Sequence, residues 1–102
     1  MKESQIQTAC LKYLRANGFF CWKNHVQGIR IGNRTVVNPA KGSPDILAIK
    51  EGVFYGIEVK TQTGRLSLDQ WKWHKQARDV GKAHILVVRS VDELIAKLSE
   101  VC

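Results

Sequence analysis

Two apolar runs separated by Glu51-Gly52 constrain this chain more than any other feature. The stretch reads Pro-Asp-Ile-Leu-Ala-Ile-Lys-Glu-Gly-Val-Phe-Tyr-Gly-Ile-Glu-Val-Lys, from Pro44 to Lys60. Runs of this length and composition, parted by an acidic residue and a glycine, predict a β-hairpin with a two-residue loop. In that register Lys50 faces Val53, Gly56 lies across from Leu47, and Asp45 falls opposite Glu58. Opposed residues project to the same side of a sheet, with β-carbons about 5 Å apart. Lys60, two residues beyond Glu58, emerges on that side as well. A three-residue loop would slip the register by one and send Asp45 and Glu58 to opposite faces.

Two carboxylates placed face to face destabilise a sheet. A hard divalent cation removes that penalty, because Mg²⁺ takes oxygen ligands and retains several waters. Such a cation can polarise a phosphoryl oxygen and acidify a bound water. A neighbouring ammonium can orient that water or stabilise charge developing on phosphorus. The competing reading is an exposed hairpin with ordinary surface charges.

Overall charge points to the partner. Sixteen Lys and Arg stand against nine Asp and Glu, a formal net charge of +7. A basic surface around a locally acidic pocket suits a polyanion cleaved with a metal's help. Three cysteines, at positions 10, 21 and 102, form neither metal-ligand spacing nor an even disulfide set. They are expected to be reduced thiols of a cytoplasmic protein, in a bacterial or phage-infected cell, with Cys10 and Cys21 in or near the core. No apolar run approaches a membrane span and no stretch resembles a signal peptide. The length, 102 residues, suits one domain spanning 1–102.

Ile6, Ala9, Cys10, Tyr13 and Leu14 recur at helical spacing, predicting a helix over 3–16 that stops at Gly18. Glu3 sits at its inward edge, where it either points at a metal site or favours the positive helix end. Phe19 to Trp22 reads as a short strand. The 23–41 segment is basic without an intervening acid, and contains a small hairpin around Gly32-Asn33. Lys23, Arg30, Arg34 and Lys41 from this segment, with Arg65 further on, are candidate phosphate contacts; His25 is a candidate substrate contact.

Ser67-Leu68-Asp69-Gln70 is a capping box opening a helix over 67–80, with Leu66 and Trp71 as its staple. Gln70 either closes the cap or reaches the acidic patch. Trp71 and Trp73 read as packing residues, with Trp73, Ala77 and Val80 continuing the inward face. His74, Lys75 and Arg78 fall on the remaining, basic side. Ala83 to Val88 suits a strand buried on both faces. Ser90 to Glu93 repeats the capping pattern before a last helix ending near Glu100. The expected fold is α/β, in the order α-β-β-β-α-β-α with a small basic hairpin inserted.

Gly42-Ser43-Pro44-Asp45, a hairpin, and then Glu58-Val59-Lys60 resemble the PD-(D/E)xK nuclease motif. Leu66 to Gln70, with the tryptophan and glycine that follow, sharpen this to a resemblance to the virus-type replication-repair nuclease (VRR-NUC) domain in its stand-alone form. The resemblance spans nearly the whole chain. It implies a restriction-endonuclease-like fold, a mixed β-sheet flanked by helices, and a phosphodiesterase dependent on Mg²⁺, or on Mn²⁺. Asp45 and Glu58 would be its metal carboxylates and Val59 would lend a backbone carbonyl. Lys60 would be the catalytic lysine, Glu3 the acidic residue added by the first helix, and Gln70 the supporting polar residue. It further implies a homodimer acting on branched DNA, with four-way (Holliday) junctions as substrate. A flap or nicking endonuclease with the same chemistry, and a noncatalytic DNA-binding module, are the alternatives.

Overall fold

A computed structural model describes residues 1–25, 29–36 and 40–101, with backbone only at 29–31 and 34–36. Nine elements follow in order. They are α1 (Glu3–Ala16), β1 (Phe20–Lys23), β2 (Ile29–Ile31), β3 (Arg34–Val36), β4 (Ile46–Lys50), β5 (Val53–Val59), α2 (Leu68–Asp79), β6 (His84–Val88) and α3 (Val91–Val101). The main sheet has strand order β1-β4-β5-β6. Its first two pairings are antiparallel and the β5–β6 pairing is parallel, with α2 as the crossover a parallel pair requires. This is the expected restriction-endonuclease-like mixed sheet, and β2 with β3 form the separate small hairpin.

The central hairpin takes the two-residue loop. Glu51 and Gly52 have φ of 53° and 80°, as a type I′ turn requires at both central positions. Its right-handed twist matches that of the strands, so the register runs Lys50↔Val53, Leu47↔Gly56 and Ile46↔Ile57. Asp45 stands one step beyond the last pair, abreast of Glu58.

Strand alternation sorts the two faces of the sheet. Ile46, Ala48, Tyr55, Ile57, Val59, Leu86 and Val88 point to one side, where Ile6, Cys10 and Leu14 of α1 and Leu94 and Leu98 of α3 complete the core. The opposite side carries Gly56, Glu58 and Ile85 under α2. Cys10 and Cys21 are both buried, as expected. Over β1 and β4, however, that second face is more open among the described residues. Phe20, 70% exposed, Trp22 and Ile49 lie open there, with the Phe20 and Trp22 rings 5.3 Å apart.

Several packing expectations on α2 are overturned. Val80 is 76% exposed and Trp71 53% exposed, so neither packs inward. His74, placed on the basic side by the helical count, is the buried residue of this helix. An acidic pocket lies beneath this helix, so Gln70 and His74 turn toward it, while Trp73 and Ala77 are half-buried as expected. Gly56 is closely covered. A β-carbon there would lie 2.7 Å from Pro44 Cγ and 2.9 Å from Ile85 Cδ1, so its bareness makes room for Pro44 and β6.

Gly42 does the equivalent at the start of β4. Its φ is +92°, and a β-carbon would fall 2.4 Å from the Asp69 carbonyl oxygen in the first turn of α2. The backbone leading to Asp45 therefore packs directly on the helix start that carries Gln70. Gly42→Ala should cost about 2–4 kcal/mol, from left-handed strain plus overpacking. Gly32→Ala, at φ +60° with open space around it, should cost only about 1–2 kcal/mol. Urea denaturation of the two variants checks the difference.

Candidate active site

Asp45 is delivered by a strapped turn. Asn24, just past β1, donates from Nδ2 to Ser43 Oγ (2.7 Å) and to the Pro44 carbonyl (2.9 Å). Its own amide donates to the Asp45 carbonyl at 2.7 Å. The Val59 amide then donates to Asp45 Oδ2 at 2.8 Å, fixing the carboxyl against β5. Val59 itself is wholly buried on the core side. Asn24 was missed in the sequence, where an asparagine ending a strand carries no distinguishing signal.

Glu58 is only 1% exposed. Gln70 Nε2 donates to its Oε2 at 3.3 Å, and His74 Nε2 lies 3.1 Å from its Oε1. Gln70 also closes the cap. Its Oε1 accepts from the Ser67 amide at 2.9 Å, while Ser67 Oγ accepts from the Gln70 amide at 3.2 Å. The two roles left open by the sequence are thus both filled by one side chain.

Asp45 and Glu58 stand abreast on neighbouring strands, and each carboxyl acts on the other's protonation. Burial, then the hydrogen bond and the charge of Glu58, push Asp45 up to about 7. Burial also raises Glu58, against the lowering influence of Asp45 and Lys60. His74 goes the other way, down to about 4, chiefly through burial and then through the charges of Arg78 and Lys60. The charge of Lys60 bears on all three groups. Its backbone amide is anchored to the Val88 carbonyl at 3.0 Å. Arg89 braces the loop after it, donating to the carbonyls of Thr61 and of Gly64, the latter at 2.8 Å.

Glu3, at the start of α1, adds a repulsive charge felt by Glu58. Gln7, one turn later, is buried with its Oε1 unpartnered. Among the described residues, no three His, Cys, Asp or Glu side chains form a group that could hold a metal ion. The donor chemistry of the pair still suits a hard cation: two neighbouring carboxyl groups supply the oxygens such an ion takes up once they are ionised.

Of the expected phosphate contacts, Lys23, Lys41 and Arg65 are exposed, and Lys41 pairs with Asp69 at 3.2 Å. The side chains of Arg30 and Arg34 lie outside the described residues, as does the turn expected at Asn38-Pro39.

A mixed sheet that brings an aspartate, a glutamate and a lysine together at one end of a central hairpin defines the PD-(D/E)xK class. A solved structure described as a VRR_NUC domain aligns with 96% of this chain and 94% of its own, at a TM-score of 0.68 and 26% sequence identity. No family model and no curated protein matches the chain. Fold, site order and this full-length likeness support the chain as a member of the VRR-NUC family of PD-(D/E)xK proteins. That kinship supports a nuclease-type enzymatic function with DNA as the partner. No helix among the described residues is long and apolar enough to cross a membrane.

The raised Asp45 gives a pH signature in metal-free protein. A carboxyl with a folded-state pKa above its unfolded value holds its proton better when folded. Its contribution is fully present below about 4 and is lost as pH rises through about 7. Asp45→Asn cannot lose that proton. The variant should melt a few degrees above the parent at pH 8 in chelator, and the gap should close as pH falls to 4.

Proposed function

We propose that this chain is a Mg²⁺-dependent endodeoxyribonuclease that hydrolyses DNA phosphodiesters with selectivity for branched structures, four-way junctions foremost. The observation that supports the reading is the hairpin register that sets Asp45 abreast of Glu58 in a partly buried site, with Lys60 two residues further along the same side of β5. Asp45 and Glu58, with the Val59 carbonyl and with Glu3 assisting from α1, would hold Mg²⁺ or Mn²⁺. When bound, the cation supplies Lewis acidity toward the phosphoryl oxygen and lowers the pKa of a water.

The chain's own residues do the rest. The Val59 amide keeps Asp45 turned toward Glu58. Gln70 holds Glu58 from the other side, which restricts the carboxylate to one orientation before substrate arrives. Lys60 brings a positive charge to the position where negative charge builds on the phosphoryl group. Lys23, Lys41 and Arg65, with Arg30 and Arg34 from the small hairpin, would contact backbone phosphates, giving affinity that falls steeply with salt.

One chain carries one such pocket, whereas resolving a four-way junction takes two related cuts. A two-fold homodimer supplies the second pocket. We assign the second copy to the open apolar face of Phe20, Trp22 and Ile49, which continues to the free edge of β1. An exposed edge strand with aromatic neighbours is costly to leave in water.

Asp45→Ala and Lys60→Ala should each lower cleavage at least about 100-fold while keeping the fold and DNA binding. Gel cleavage and binding assays on the same preparations check both, and cleavage at the parent rate would remove the role assigned to that residue. On labelled four-way junction, flap, nicked and linear duplex DNA in Mg²⁺, paired symmetric cuts are expected on the junction. A single cut beside the flap would instead make the chain a flap endonuclease, and binding without cleavage in Mg²⁺ or Mn²⁺ a DNA-binding module. Trp22→Glu should convert a dimer to a monomer in sedimentation equilibrium and lose the pairing of cuts; a parent protein that is itself monomeric on the junction would end the dimer assignment.

A further inference from the structure

His74 has no part in the acidic pair, the lysine or the capping box, yet it is buried as deeply as Glu58, each 1% exposed. It sits four residues after Gln70, so the two side chains share one face of α2. Between them they take one Glu58 oxygen each: Gln70 Nε2 on Oε2 and His74 Nε2 on Oε1. Gln70 cannot turn its amide over, because its Oε1 is committed to the Ser67 amide at the helix start. Its NH₂ therefore faces Glu58.

The imidazole is constrained in the same way. The Glu58 carboxylate only accepts, and it already accepts from Gln70. A second neighbour at 3.1 Å is attractive only if it donates, which puts the ring hydrogen on Nε2. Nδ1 is then a bare lone pair, and it is buried without a hydrogen-bond partner. A buried polar atom left unpaired costs about 1–3 kcal/mol. Phenylalanine would fill the same space without that cost. What histidine adds over phenylalanine here is the Nε2–H aimed at Glu58.

We propose that His74 is a positioning residue, whose Nε2–H clamps the Glu58 carboxylate with Gln70 in the one orientation that sets it against Asp45. This rests on the reading of Asp45 and Glu58 as metal carboxylates. A partner of this kind, holding a ligand rather than the ion, governs metal affinity by about 10–100-fold when removed. The clamp also ties the pocket to the helix start. One helix turn delivers both donors, and the first of them is held by the cap.

The test uses the full chain, Mn²⁺ alone as probe, and no DNA. Nitrogen-15 NMR of the parent should find the His74 ring protonated on Nε2. Calorimetry should find His74→Phe binding Mn²⁺ about 10–100-fold more weakly, with a melting temperature equal to the parent's or higher. His74→Gln, whose amide nitrogen reaches near the Nε2 position, should recover part of the affinity. His74→Asn, which reaches only near Nδ1, should not. Parent-like Mn²⁺ affinity in a folded His74→Phe, or a ring protonated on Nδ1, overturns the proposal. Should the phenylalanine variant fail to fold, the tautomer and the glutamine–asparagine contrast decide it. A parent that takes up no Mn²⁺ would sink the metal reading itself, and the tautomer alone would then decide whether His74 holds Glu58.

Discussion

Two carboxyl groups pressed together in a partly dry pocket are unstable unless something shares or replaces the charge. Burial raises both Asp45 and Glu58 above the ordinary carboxyl range, and the rest of the site is arranged around that cost. Every neighbour that touches the pair donates: the Val59 amide to Asp45, Gln70 and the His74 ring to Glu58. The Lys60 ammonium adds positive charge from the next turn of chain. A pocket with many donors and two acids is poised to exchange a proton for a cation, because each hydrogen bond stabilises the ionised form once the proton is gone.

The fold serves this pair through two rigid supports. One is the type I′ turn at Glu51-Gly52, whose positive φ values set the register that brings Asp45 abreast of Glu58. The other is the first turn of α2, which touches the strand start through Gly42 and reaches Glu58 through Gln70. Helix start, strand start and acidic pair therefore form one mechanical unit. Pro44 seated on Gly56 completes it, filling the space above the central strand with a rigid ring rather than a mobile side chain. The same economy leaves the β1–β4 half of this face bare, and its aromatic residues open.

Much of this architecture is legible in the amino-acid sequence. The apolar runs around Glu51-Gly52 set the strands and their pairing, because a two-residue turn leaves one register. The order of helices and strands follows from apolar spacing, and Ser67 to Gln70 mark a helix start that the hydrogen bonds bear out. The second capping pattern forms in a variant way: Ser90 Oγ accepts from the Glu93 amide, but the Glu93 carboxylate accepts from Arg89 rather than from Ser90. Where periodicity fails, it fails on α2. Counting apolar residues puts Trp71 and Val80 inward and His74 outward, since a hydrophobic stripe is the usual inward face. That helix covers an acidic pocket, so polar complementarity outweighs apolar burial and the helix turns.

Local chemistry alone determined the elements, the hairpin register and the presence of two acids and a lysine on one side of a sheet. Each of these depends on neighbours a few residues apart, whose geometry is dictated by turn stereochemistry and strand alternation. Tertiary structure decided what surrounds the pair. Asn24 reaches Pro44 across 20 positions of chain and His74 reaches Glu58 across 16, and neither contact leaves a trace in spacing. Such long-range donors are chosen by the shape and charge of a pocket that exists only once sheet and helix have packed, so the side chains that orient the chemistry became visible last.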